Sequence, residues 1–285
     1  MSENLSNINL LEAVNVKLEP QGFKGIYGCM IEFQSESKMN FLKFKYSYEY
    51  LGNKNYSGHI FKINRFKDIY INDKSPQNFI EDISIEVSET LYPLEVQCNH
   101  SGGFKTIRNF DEIKKRWHKK KKSLLSKYKN ESVIKYINVF DKSMSFEELF
   151  IEKMRNDFFL SLYFQPIFKY YTAFYKIEST LKFPIVGTSK QVCFKVNQRL
   201  DENHLKENEY RIIMDGEIED ERSLTDLEQK LDYPIYNSDS IEDKGNCQIT
   251  YQLNNISKII EGIYAEFNLN FGNTRKVVVK MFLLE

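Results

Sequence analysis

From Gly25 to Ile71 apolar and polar residues alternate with a period of two. Between Met39 and Leu51, Leu42, Phe44, Tyr46, Tyr48 and Tyr50 fall on one face, and Lys43, Lys45, Ser47 and Glu49 on the other. Successive strand side chains point to opposite faces, so the pattern predicts an antiparallel strand with one face covered and one wet. Residues 26–34 and 58–66 read as its neighbours, with turns at 35–38 and 52–55.

The period then changes. Ser75-Pro76 reads as a helix start, with Ser as cap and Pro at the first helical position. Phe79, Ile83, Val87 and Leu91 recur every four residues as one apolar stripe, and Pro93 ends it. Residues 94–98 and 104–108 read as a hairpin turning through His100-Ser-Gly-Gly103. Asn109 is placed to cap a helix reaching about residue 128, with Ile113, Trp117, Leu124 and Tyr128 on its apolar face. A further helix is expected over 132–140. A third is expected from Ser145 to Phe164, stopped by Pro166, where Ser145 and Glu148 have capping-box spacing.

Beyond residue 170 the period of two returns. Strands are predicted at 171–180, 191–199, 209–217, 247–253, 259–269 and 275–283, with a short helix at 224–231 and a polar loop at 234–245. Strands, helices, then strands again is not the alternation of a parallel sheet. It predicts an α+β fold with antiparallel β-sheets in both halves and a central helical segment. The corresponding division is an N-terminal sheet with one helix (1–108), a helical connector (109–169) and a C-terminal sheet (170–285). One continuous domain is the alternative.

Composition adds charge. Of 285 residues, 40 are Lys or Arg and 40 are Asp or Glu, so the net charge is zero. Bulk attraction to polyanions is therefore not expected. The balance conceals a bipolar chain. Residues 105–129 carry eleven basic and two acidic residues, a local net of +9; residues 201–232 carry twelve acidic and four basic, a local net of −8. The basic peak includes Lys114, Lys115, Arg116, Lys119, Lys120, Lys121 and Lys122, which are candidate partner-binding residues. Trp117 among them either stacks on a nucleic-acid base or faces the core in register with Ile113 and Leu124. The basic stretch can also pair with the acidic one, within this chain or in another copy. A second asymmetry is aromatic: nine of the eighteen residues from Phe158 to Tyr175 are Phe or Tyr. They form a core, an apolar-ligand pocket or a partner surface, and Phe159 and Tyr163 join the candidate binding residues on the last reading.

Catalytic and metal signals are sparse. Glycine-rich phosphate loops, the Gly-x-Ser-x-Gly elbow and His-Glu-x-x-His are missing from the chain. Asp111-Glu-Ile-Lys114 has the acidic-x-Lys spacing of some metal-dependent nucleases, but it falls where a helix start favours acids anyway. The acidic run at 215–221 lacks calcium-loop spacing and reads as a solvated strand end. Cys29, Cys98, Cys193 and Cys247 are far apart and read as small buried hydrophobes on strands. His59, His100, His118 and His204 are dispersed. Cys98-Asn-His100 supplies two ligands where zinc takes four, so no metal or cofactor is expected.

The N-terminus has no basic segment followed by an apolar run, and no window approaches the ~18 apolar residues of a membrane span. The expected setting is cytoplasmic, without a membrane partner. The expected function is that of a non-enzymatic protein-interaction module: an adaptor, chaperone or accessory protein. The alternatives are a small apolar ligand in an aromatic-lined cavity and nucleic-acid binding through residues 109–129. Self-association is also open.

One stretch carries a resemblance. Leu91-Tyr-Pro-Leu-Glu-Val96 followed by Ser101-Gly-Gly-Phe-Lys-Thr-Ile-Arg-Asn-Phe-Asp-Glu-Ile-Lys-Lys-Arg-Trp117 resembles a pattern in bacterial proteins associated with contractile, type VI-like secretion and toxin-delivery loci. It covers under a tenth of the chain. The resemblance implies an adaptor, chaperone or accessory role and brings no catalytic residues with it.

Overall fold

The computed structural model describes residues 13–53, 57–171, 176–187, 189–201, 203–204, 209–236 and 243–284. Part of the expected strand at 171–180, with Phe174 and Tyr175, part of the 234–245 loop and part of the 52–55 turn lie outside the described residues.

The fold is α+β with the sheet dominant. The strands are β1 (Val14–Asn15), β2 (Lys24–Gln34), β3 (Met39–Gly52), β4 (His59–Arg65), β5 (Tyr70–Ile71), β6 (Leu94–Cys98), β7 (Phe104–Ile107), β8 (Tyr170–Tyr171), β9 (Lys176–Phe183), β10 (Val192–Leu200), β11 (Tyr210–Ile218), β12 (Gly245–Leu253), β13 (Ile260–Leu269) and β14 (Lys276–Leu283). The helices are α1 (Phe79–Ser88), α2 (Phe110–Lys127), α3 (Glu131–Ser143), α4 (Glu147–Met154), α5 (Phe158–Tyr163) and α6 (Leu224–Glu228).

Among the described residues twelve strands form one antiparallel sheet, in the order β7-β6-β4-β3-β2-β14-β13-β12-β11-β10-β9, with β5 added to β3. Two meanders are visible. One runs from β2 to β7 and the other from β9 to β14. They join where β2 pairs with β14, in a ladder from Leu283 opposite Tyr27 to Lys276 opposite Gln34.

The sheet curls. The rings of Phe183 on β9 and Phe267 on β13 lie 5.1 Å apart. Those strands are four positions apart, so a flat sheet would separate them by ~19 Å. The curl encloses α5, a buried helix only ~9 Å long. Phe159 meets Tyr46 of β3, and Tyr163 meets Tyr27 of β2 and Tyr48 of β3. From the far meander, the Tyr251 hydroxyl of β12 donates to the Leu162 carbonyl at 2.9 Å.

Tyr27 joins the three parts. Its hydroxyl donates to the Ile260 carbonyl of β13 and shares a 3.1 Å hydrogen bond with the Tyr163 hydroxyl of α5. Burial raises its pKa well above the ordinary phenol value, followed by the effect of Tyr163, so it stays a neutral donor.

Three helix starts differ from the sequence expectation. The cap of α1 is Asn78, not Ser75: its side chain accepts from the N–H groups of Ile80 and Glu81. Asn109 sits at the cap position of α2, but its amide instead accepts from the Glu95 N–H and donates to the Pro93 carbonyl. The single helix expected from Ser145 to Phe164 is two. Its capping box does not form; α4 starts after Phe146, and the Ser145 hydroxyl bonds the Asp141 carbonyl. Asp157 is extended and caps α5 by accepting from the Leu160 N–H, which breaks the helix and turns α5 inward.

Replacing Tyr27 with Phe removes its hydrogen bonds to Ile260 and Tyr163 while keeping the ring. The expected cost is about 1–2 kcal/mol. Urea unfolding measures it, with the far-ultraviolet spectrum of the folded variant unchanged.

Candidate functional site

Helix α2 presents three faces. Its inner face buries Phe110, Ile113, Trp117 and Leu124, as the spacing predicts. Trp117 is 0% exposed, and its indole N–H donates to Asp141 at 2.8 Å. No face of that ring is available to stack on a base.

The flanks are occupied by contacts within the chain. Arg116 donates to the carbonyls of Thr90, Leu91 and Pro93, which ties α2 to the chain entering β6. Lys120 and Lys127 both pair with Glu86 of α1, at 2.8 and 3.1 Å. The hydrogen bond from Lys120 is the largest cause holding that carboxyl below the ordinary range, against a smaller opposing effect of burial. Lys121 pairs with Asp141 of α3 at 2.7 Å. Lys114 donates to the Ser145 carbonyl.

The outer face remains. Lys115, Lys119 and Lys122 are exposed, follow one another at helical spacing and have no ion pair among the described residues. The sequence candidates therefore separate. Lys115, Lys119 and Lys122 form a free cationic stripe. Lys114, Arg116, Lys120 and Lys121 hold the helix in place. Phe159 and Tyr163, 1% and 6% exposed, belong to the interior.

The acidic stretch does not neutralise the stripe. Among the described residues no ion pair joins 105–129 to 201–232. Several of the described acids of 201–232 have nearer partners. Asp215 pairs with Arg199, and Asp220 pairs with Arg222 through two contacts of 2.7 and 2.8 Å. Arg222 is buried and also donates to the carbonyls of Lys190, Gln191 and Leu231. Asp226 is buried in the capping box of α6 and accepts from the N–H groups of Ile235 and Tyr236. Burial raises its pKa, but the bonds from Ser223, Tyr236 and Ile235 outweigh it and hold the group at about 2. The solvated strand end expected at 215–221 is thus partly a buried, bonded joint.

A second feature was not visible in the sequence. The two end strands of the curled sheet, β7 and β9, border one cleft of about 320 Å³. Phe104 lines one side, Thr180, Leu181 and Lys182 the other, and Leu160 and Phe164 of the α5 segment lie between them. The turn before β7 packs closely on the chain that follows α5, and Gly102 permits that approach. Its φ is +90°, and a Cβ there would lie 2.6 Å from the Phe168 ring. Arg155 lies over the Phe104 ring at 4.9 Å.

The cysteines are all unbonded and on strands, three of them buried. Cys98 faces His59 across the β4–β6 ladder, and the rings of His59 and His100 are 5.7 Å apart. Among the described residues no group of three His, Cys, Asp or Glu is arranged to hold a metal.

No family model matches the chain, and no curated protein matches it.

His59 carries a pH dependence. Burial, then His100, lowers its pKa below the ordinary 6.5, so the fold favours the neutral ring. The associated stability is complete above that value and is lost as pH falls below it toward the folded-state pKa. Comparing urea midpoints at about pH 7.5 and about pH 5.5 should show a smaller acid loss for His59→Gln than for wild type.

Proposed function

We propose that this protein is a non-enzymatic interaction module, an adaptor, chaperone or accessory protein, whose α2 outer face binds an acidic protein surface. The supporting observation is the selective pairing along α2. Lys120, Lys121 and Lys127 are matched to Glu86 and Asp141, while Lys115, Lys119 and Lys122 face solvent unmatched. Unmatched like charges in a row repel one another and are relieved by an anionic partner. The burial of Trp117 favours a protein surface over single-stranded nucleic acid, which is gripped by exposed aromatic faces.

The segment resembling proteins of contractile secretion loci folds as one unit that supports this face. It comprises the β6–β7 hairpin and the first half of α2, held together by Arg116 and Asn109. An accessory role in such a system, in the cytoplasm, is consistent with that placement. Among the described residues no helix is long and apolar enough to cross a membrane.

The test uses Lys115→Gln, Lys119→Gln and Lys122→Gln together. These positions are exposed and unpaired, so the thermal midpoint should stay within about 2 °C of wild type. Wild-type protein should retain a specific partner from native lysate at low salt, and the triple variant should lose it. Equal retention by both, or displacement of the bound material by nuclease, would reject the reading.

A further inference from the structure

The two ends of the curled sheet are treated differently. β7 is four residues long and has a register shift where β6 passes Gln97. Its first N–H, from Phe104, is already bonded to the Phe164 carbonyl at 3.0 Å. A short, irregular and partly capped strand is a protected edge. β9 has none of these devices. It runs eight residues in unbroken register with β10, and Pro184 comes only after its end. Among the described residues its backbone bonds no element other than β10.

Every second N–H and C=O of such an edge points away from its neighbour, toward whatever lies alongside. Part of what lies alongside β9 is the cleft. Leu160 and Phe164 give it an apolar floor, and among the described residues its only charged lining residues are Arg155 and Lys182. Both are exposed, and neither has an ion pair among the described residues.

We infer that β9 is a strand-addition site for an extended segment of a partner protein that carries an acidic residue. The segment pairs its backbone with β9, places an apolar side chain over Leu160 and Phe164, and sets a carboxylate against Arg155 and Lys182. Main-chain bonds supply affinity in this mode, and alternate side chains supply selectivity. A lone extended chain fits better than the edge of a second folded sheet. Phe104 and the turn before it wall the cleft on the side opposite β9, which bounds the space beside that strand. The inference deepens the interaction-module reading but uses a surface separate from the α2 stripe.

The probe is an acetylated, amidated peptide of eight residues, the length of β9, alternating valine with threonine and two glutamates. Binding is measured by fluorescence anisotropy of a labelled copy to full-length protein. Three controls separate the components. N-methylation of alternate peptide amides should abolish binding, because it removes backbone donors and leaves the charge. Replacing the glutamates with lysines should weaken binding about tenfold or more, and so should the Arg155→Glu, Lys182→Glu variant. The Lys115→Gln, Lys119→Gln, Lys122→Gln variant should bind the peptide like wild type. If that variant loses its lysate partner yet still binds the peptide, the two surfaces are independent. Undiminished binding of the N-methylated peptide, no saturable binding of the acidic peptide, or dimerisation through β9 that the peptide cannot reverse would each overturn the inference.

Discussion

The fold depends on pairing between its first long strand and its last. β2 and β14 come from opposite ends of the chain, yet they form a continuous ladder from Tyr27 to Gln34. Each meander alone would present two raw edges, and this pairing removes one from each. It also brings Tyr27 within reach of Ile260 and Tyr163, so one hydroxyl links both meanders to α5. The curl follows from burial. The inner faces are rich in Tyr and Phe, and α5 is too short to cover a flat sheet of this width. Wrapping the sheet around the helix covers those rings and brings β7 and β9 to opposite sides of one cleft.

Charge follows the same division between what is tied and what is left over. A net charge of zero suggests mutual cancellation of the basic and acidic stretches, and the structure instead pairs part of each one with nearer partners. Glu86 and Asp141 take the flanks of α2, while Arg199 and Arg222 take Asp215 and Asp220. Surface pairs of this kind contribute little stability each. Their consequence is selection. They consume the charges that face other elements and leave Lys115, Lys119 and Lys122 without an ion pair among the described residues. The cations beside β9, Arg155 and Lys182, are a second set without an ion pair among the described residues, although Lys182 also borders the acids at 219–221. The two proposed surfaces, a helix face and a strand edge, would both suit acidic partners.

Much of the local structure was legible in the sequence because each strand repeats one simple rule. Alternation located β2, β3 and β4 and five of the six long C-terminal strands within about two residues. Apolar spacing placed Trp117 in the core. The expectations that differed turn on competition for one side chain. Ser75 and Asn78 both suit a helix cap, and Asn109 suits one that it does not serve, because β6 supplies better partners. The break at Asp157 was hidden because the apolar pattern continues through it. The β2–β14 ladder left no local mark: pairing across some 250 residues depends on which edges remain once the hairpins have formed. The cleft was unreadable for the same reason. Leu160, Phe164, Leu181 and Arg155 are ordinary core and surface residues until the curl places them together.

Backbone amide hydrogen exchange, resolved by residue, tests most directly the claim that the curled sheet is sealed at β2–β14 and open at β9. Amides of the β2–β14 ladder should exchange only with global unfolding, while alternate amides along Lys176–Phe183 should exchange as fast as exposed loops do. Uniform slow exchange along β9, or early exchange at the β2–β14 ladder, would contradict it.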